Sequence, residues 1–240
     1  MKVRYFTIPN ILTLFNLLCG CAAVINALCY EQLQMAFLFV VLGAAFDFSD
    51  GLAARLLGRY SPLGKQLDSL ADMVTFGIAP SAILFMTMRA AAPEQLTWVA
   101  YLAFLVAVFS ALRLARFNID EGQKEVFIGL PTPANALLFA SLGYLWAGWA
   151  DNHPGVTPGG WLLPALAALT LLMSWLLVSP VRMFSLKLAD YSLRGNEVRY
   201  SFAAAALVGL VIFGIAAVPF IIGLYIVISA AMWLACDGKK

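Results

Sequence analysis

Eight apolar runs, at about 8–30, 34–56, 66–88, 95–118, 131–150, 160–180, 200–217 and 219–236, fill most of this chain. Each comes close to the ~20 residues that a helix needs to cross a bilayer. Lipid offers no partner to a backbone N–H or C=O, so each spanning segment has to satisfy its own hydrogen bonds. The expected fold is therefore an all-α integral membrane protein, a polytopic bundle of about eight transmembrane helices. The last two runs are short, and Pro219 divides them, so they read as one helical hairpin.

Composition excludes the main alternative. Hydrophobic residues make up 62% of the chain and charged residues 12%, about half the ~25% charge of a soluble domain. A net charge of +2 gives no basis for a nucleic-acid partner. Cys19, Cys21, Cys29 and Cys236 show no C-x-x-C spacing, so neither a metal site nor a disulfide framework is expected. The opening "MKVRYFTIPN" has a basic flank but no small-residue cleavage site, and it reads as leading into a retained first span. With both termini on one side, every Lys and Arg except Arg89 falls on that side, which makes it cytoplasmic. Gly155, Pro158, Gly159 and Gly160 then mark a loop on the opposite face.

Against this greasy background, residues 45–74 read AFDFSDGLAARLLGRYSPLGKQLDSLADMV. Asp47 and Asp50 are three apart, and Asp68 and Asp72 are four apart, so each pair shares a helix face. A short turn, GRYSPLG, with turn signals at Pro62 and Gly64, makes the two helices antiparallel neighbours. Their acidic faces can then meet. A bare Asp near mid-membrane costs roughly 2.5–3.5 kcal/mol on insertion scales, and like charges repel. Pairing with Arg55, Arg59 and Lys65 would be one remedy. A hard divalent cation with oxygen ligands suits four carboxylates in register better, and magnesium uses few carboxylates together with substrate phosphates. Two such ions could brace the attacking and leaving oxygens of a phosphoryl transfer. Gly51, Ala53, Ala54 and Gly64 leave space beside the acids for a ligand or for close helix packing.

The spacing D-x2-D-G-x2-A-R-x8-G-x3-D-x3-D, filled by Asp47, Asp50, Gly51, Ala54, Arg55, Gly64, Asp68 and Asp72, resembles the signature of the CDP-alcohol phosphotransferase family of membrane enzymes. The resemblance implies a six-helix core at about 1–190 followed by the hairpin at 191–240, all in a single membrane domain. It implies a homodimer embedded among membrane lipids. It implies cleavage of a CDP-linked donor with release of CMP, and transfer to an alcohol. It makes Asp47, Asp50, Asp68 and Asp72 ligands of about two divalent metals, Mg2+ or Mn2+. It also makes Asp72 the general base. His153, the single histidine, falls on the far face, and no cysteine lies near the acids, so a carboxylate is the base the composition leaves there.

Asn10, Thr13 and Asn16 recur every three residues and draw a polar stripe on the first span. This run resembles the family's first span. The donor site is accordingly expected at Asn10, Thr13, Gly51, Ala54, Arg55 and Gly64; the polar stripe could equally bond neighbouring helices. Arg55 can reach a diphosphate by charge-assisted hydrogen bonds.

Two later regions, SALRLARFNID with FIGLPTPANA and then VSPVRMFSLK, resemble the branch of the family that joins CDP-diacylglycerol to L-serine. A guanidinium fork binds a carboxylate in bidentate fashion. Arg113 and Arg116 share a face, with Asn118 just beyond, and these three are the expected serine contacts. Both arginines could instead be interfacial anchors. Pro131 and Pro133 are expected to shape the entry to the fifth span, and Arg182 and Lys187 are weaker candidates for lipid phosphate. The enzyme alternative keeps the donor and changes the acceptor to glycerol 3-phosphate or an inositol compound. The non-enzyme alternative is a cation transporter or channel, because intramembrane acids also mark ion paths.

Overall fold

The computed structural model describes residues 5–58, 61–119, 127–154, 156, 160–184 and 196–237, with the backbone alone at 127, 236 and 237. Helices occupy each of the expected runs. They are α1 (Ile8–Leu28), α2 (Leu33–Leu56), α3 (Pro62–Ala91), α4 (Glu94–Ile119), α5 (Thr132–Asn152), α6 (Leu162–Val178), α7 (Glu197–Phe213) and α8 (Ala217–Asp237). Among the described residues, five helical stretches are long and apolar enough to cross a membrane: α1, α2, α3, α4 and the run Glu197–Ala235. The chain is an all-α polytopic membrane protein, but the count on this criterion is five and not eight. The helical run that holds α7 and α8 counts once, and α6 is apolar but shorter. Helix α5 carries Asn135, Asp151 and Asn152, which dilute its apolar character.

Pro219 does not make the break between α7 and α8. Gly214 does, at φ +57, a left-handed conformation that costs a residue with a Cβ about 1–2 kcal/mol. Pro219 sits in the first turn of α8, where its missing N–H is harmless. The two helices fold back on each other, bringing the Phe202 and Tyr225 rings to 6.0 Å. Tyr225 donates its hydroxyl to the Phe184 carbonyl at 3.1 Å.

The segment GRYSPLG is also not wholly a turn. Ser61 caps α3, its Oγ accepting from Gly64 N at 3.0 Å, and Pro62 and Gly64 lie in the first helical turn. A preset φ makes proline a good opening residue. Helix α3 changes winding at Met73–Ile78, a π-helical segment that starts directly after Asp72. Such segments recur at functional sites. Here the segment presents Thr75, which is fully buried, to both α1 and α2. A Cβ at Gly43 would lie 2.6 Å from Thr75 Cγ2, and one at Gly20 would lie 2.5 Å from Thr75 Oγ1. Two glycines on two helices therefore make room for one threonine, which locks α1, α2 and α3 together. Thr75 Oγ1 completes the lock by donating to Asn16 O at 2.9 Å.

The core around this lock is built of small residues, including Ala23, Ala27, Ala36, Ala79, Ala82, Ala136 and Ala140. Small side chains let helix backbones approach closely, which substitutes for a hydrophobic drive that lipid does not supply. Larger groups, among them Leu84, Met88, Phe139 and Leu177, fill a second cluster between α3, α4, α5 and α6.

A two-residue antiparallel ladder was not expected. Strands β1 (Phe127–Ile128) and β2 (Arg182–Met183) pair, joining the segment that enters α5 to the one that leaves α6. Gly129 N donates to Val181 O and Leu130 N to Leu176 O, both at 2.9 Å. Gly129 adopts φ +78, and a Cβ there would run into the Leu177 carbonyl. Several expectations lie outside the described residues: the loop at Gly155, Pro158 and Gly159, the cations Arg59 and Lys187, and part of the charge asymmetry (Lys2, Arg4, Lys124, Arg194, Lys239, Lys240).

Candidate active site

Asp47 and Asp50 ride on the last turns of α2, and Asp68 and Asp72 on the first half of α3. Asp47, Asp50 and Asp68 each offer a carboxylate oxygen, and the three oxygens lie within 4.8 Å of one another. Asp72 stands beside this trio, in electrostatic contact with Asp47, Asp68 and Asp50. Among the described residues no Lys or Arg forms an ion pair with any of the four. Arg55 is exposed, and Lys65 gives its Nζ to the Asn118 carbonyl at 2.9 Å. Local basic residues therefore do not neutralise the acids.

The donor set fits a hard divalent cation. It consists of carboxylate oxygens alone, with no soft or nitrogen ligand. The three oxygens are close enough together to approach one such cation jointly.

The polar stripe of α1 turns out to serve the acids. Asn10, Thr13 and Asn16 are all buried. Thr13 Oγ1 donates to Asp50 Oδ2 at 2.5 Å, a length normal for a hydroxyl on a carboxylate. Asn16 Nδ2 donates to Asp72 Oδ1 at 3.2 Å. Asn10 Nδ2 donates to Tyr5 O at 2.9 Å, and its Oδ1 lies against Gly64, where a Cβ would come to 3.1 Å. One face of α1 thus holds an acid of α2, an acid of α3 and the glycine at the start of α3.

A cleft of about 400 Å³ opens beside the acids and is lined by Asn10, Thr13, Gly51, Ala54, Arg55 and Gly64, together with Asp50 and Asp68. All six residues expected at the donor site share this one cavity. Gly51 has nothing within 4 Å of a built Cβ, so it borders open space, whereas Gly64 is a close-approach position. Ser61, Lys65 and Phe117 also line the cleft. Sequence reasoning did not place them there, because Phe117 comes from α4 and nothing in the local pattern links it to α2.

The three expected acceptor residues part company. Arg113 is 9% exposed, donates Nη1 to Thr132 Oγ1 at 3.1 Å and lies within electrostatic reach of Asp72. Arg116 is exposed. Asn118 donates Nδ2 to Ser69 Oγ at 2.8 Å and, with the Lys65 contact to its carbonyl, clasps α4 to α3. Only Arg113 is buried next to the acids. Arg182 is exposed, on the β2 edge of the ladder.

Residues 6–180 match the CDP-alcohol phosphatidyltransferase family. The chain belongs to that family. Three curated relatives carry the name CDP-diacylglycerol–serine O-phosphatidyltransferase. The Bacillus subtilis protein is 37% identical over 140 residues, which covers 58% of this chain and 76% of that one. The Mycobacterium tuberculosis H37Rv protein is 32% identical over 234 residues, covering 94% and 75%. The Saccharomyces cerevisiae protein is 33% identical over 157 residues, covering 59% and 55%. The family match contains the four aspartates, the α1 stripe and the Arg113–Thr132 contact. It stops before α7 and α8.

Proposed function

We propose that this protein transfers the phosphatidyl group of CDP-diacylglycerol to the hydroxyl of L-serine, giving phosphatidylserine and CMP. The observation that carries the reading is the convergence of four carboxylates, none in an ion pair among the described residues, and a buried arginine at one end of α2, α3 and α4, in a chain whose relatives bear that name. The family core is 1–190 within a single membrane domain, followed by a helical hairpin at 191–240. The charge distribution of the loops supports a multi-pass protein of the cell (inner) membrane with both termini and the active site cytoplasmic. A homodimer follows from the family resemblance.

The donor's cytidine diphosphate occupies the cleft between α1, α2 and the start of α3. Asn10 and Thr13 line its nucleotide side, Arg55 meets the diphosphate, and Gly51, Ala54 and Gly64 leave it room. Asp47, Asp50, Asp68 and Asp72 would hold Mg2+ or Mn2+, about two ions, which when bound offset the diphosphate's charge and stabilise the attacking and leaving oxygens. Thr13 orients Asp50 for this task. Asp72 takes the proton of the acceptor hydroxyl as the serine oxygen bonds to the phosphatidyl phosphorus. The bond from that phosphorus to the CMP oxygen breaks, and CMP leaves. Asn16 holds the Asp72 carboxylate through Oδ1. Arg113 binds the serine carboxylate, since it alone of the three expected contacts is buried beside Asp72.

The test is CMP release by the purified chain in CDP-diacylglycerol vesicles with Mg2+ or Mn2+ and a panel of acceptors. L-serine is expected to accelerate release and to yield phosphatidylserine. Acceleration by glycerol 3-phosphate or inositol in place of serine would overturn the acceptor assignment.

A further inference from the structure

The interior next to Asp72 holds a group of buried polar atoms of which the mechanism above uses only the Arg113 guanidinium. Ser110 and Asn135 are both fully buried. Ser110 Oγ, Arg113 Nε, and both Nδ2 and Oδ1 of Asn135 have no hydrogen-bond partner. An unpaired buried polar atom costs about as much as a lost hydrogen bond, and here four occur together.

Their proximity follows from helix register. Helices α4 and α5 are joined through Arg113 and Thr132, and they run antiparallel at that contact. One turn further in, the position level with the pair is Ser110 on α4 and Asn135 on α5. Residues three apart share a helix face, so Ser110 lies on the Arg113 face of α4 and Asn135 on the Thr132 face of α5. The third wall is α3: Ser110 Cβ lies 3.4 Å from a Cβ built on Gly77, in the π-helical segment one turn past Asp72. Arg113, in reach of Asp72, closes the seam toward the reacting centre.

The unpaired atoms complement an α-amino acid. Arg113 Nε and Asn135 Nδ2 are donors suited to a carboxylate. Asn135 Oδ1 is an acceptor suited to an ammonium, and Ser110 Oγ can serve either. We infer that Ser110, Arg113 and Asn135 form the specificity subsite for the acceptor's α-carboxylate and α-ammonium, with Asn135 reading both. This inference rests on serine being the acceptor and names the residues that select it. A dianionic phosphate brings no donor to the Asn135 acceptor, and a neutral polyol brings no negative charge to the Arg113 guanidinium. A site built of buried hydrogen-bonding groups rejects such substrates strongly.

L-alanine tests the subsite directly, because it carries both α-groups and no hydroxyl. With wild-type protein in CDP-diacylglycerol vesicles, L-alanine is expected to inhibit competitively against L-serine, and propanoate and ethylamine, each lacking one group, at least tenfold more weakly. In Asn135→Ala the serine KM and the L-alanine Ki should rise together, by about tenfold or more for hydrogen bonds to charged groups, while the CDP-diacylglycerol KM stays within twofold. Ser110→Ala should move the same two constants in the same direction. Should Asn135→Ala not fold, the near-isosteric Asn135→Asp carries the test: it sets a negative charge against the acceptor's carboxylate and should raise both constants further. Serine turnover with unchanged serine KM and alanine Ki in these variants, even with a lower kcat, would reduce the three residues to helix packing and overturn the subsite alone. A wild-type protein that releases no CMP in response to serine would remove the acceptor assignment and the subsite with it.

Discussion

Gly43→Ala is the sharpest test of how the helices hold the acids in place. Gly43 lies on α2, one turn before Asp47, and its added Cβ would meet Thr75 Cγ2 at 2.6 Å and Asn16 Oδ1 at 3.1 Å. Carbon atoms in contact settle ~3.5–4.0 Å apart, so α2 has to move away from α1 and α3 by about 1 Å. Overpacking of this kind costs roughly 1–3 kcal/mol of stability. The catalytic cost is larger, because two acids ride on α2 and two on α3, and a misplacement of ~1 Å costs about 100-fold in rate. CMP release should therefore fall about 100-fold in a protein that still inserts and purifies. Adding Thr75→Ser removes the offending methyl and keeps the hydroxyl that donates to Asn16 O. The double variant should recover at least tenfold of the loss, the coupling expected of touching residues. Gly223→Ala on α8, with nothing within 4 Å of its built Cβ, serves as the neutral control. Wild-type rates in Gly43→Ala, or no recovery with Thr75→Ser, would refute the three-helix lock.

Asp72→Asn should lower kcat by about 100- to 10,000-fold, the range for a positioned general base, with the CDP-diacylglycerol KM nearly unchanged. Thr13→Val keeps the shape and removes the hydrogen bond to Asp50, so kcat/KM for the donor should drop by about tenfold or more, the worth of a bond to a charged group. Chelation of divalent metal should stop CMP release, and Mg2+ or Mn2+ should restore it. Gly129→Ala, which forces a Cβ-bearing residue to φ +78 against the Leu177 carbonyl, should cost at least about 1–2 kcal/mol, read as a lower thermal midpoint in detergent.

The acids were legible because two regularities coincide at residues 47–72: helical spacing, and charge in an apolar background that penalises it. The polar stripe of α1 was legible for the same reason, although its bonds to Asp50 and Asp72 needed the packing of α1 on α2 and α3. What stayed hidden depends on register between helices distant in sequence. Asn135 reads as one more polar residue at a helix start, and only the Arg113–Thr132 contact sets it level with Ser110. Gly20 and Gly43 read as general small-residue packing positions, and Thr75, on a third helix, gives them one shared purpose. Arg116 and Asn118 looked equivalent to Arg113 by spacing, yet they lie one turn or more nearer the end of α4, leaving Arg113 buried, Arg116 exposed and Asn118 clasped to Ser69. The β1–β2 ladder was invisible because it spans four residues contributed by two loops.

The most direct test of the central claim is Mn2+ binding by the full-length protein in vesicles, followed by electron paramagnetic resonance. The account predicts bound Mn2+ in the wild type, broadened further when CDP-diacylglycerol is added, and loss of that signal in Asp47→Asn/Asp68→Asn. An unchanged bound signal in that double variant would contradict it.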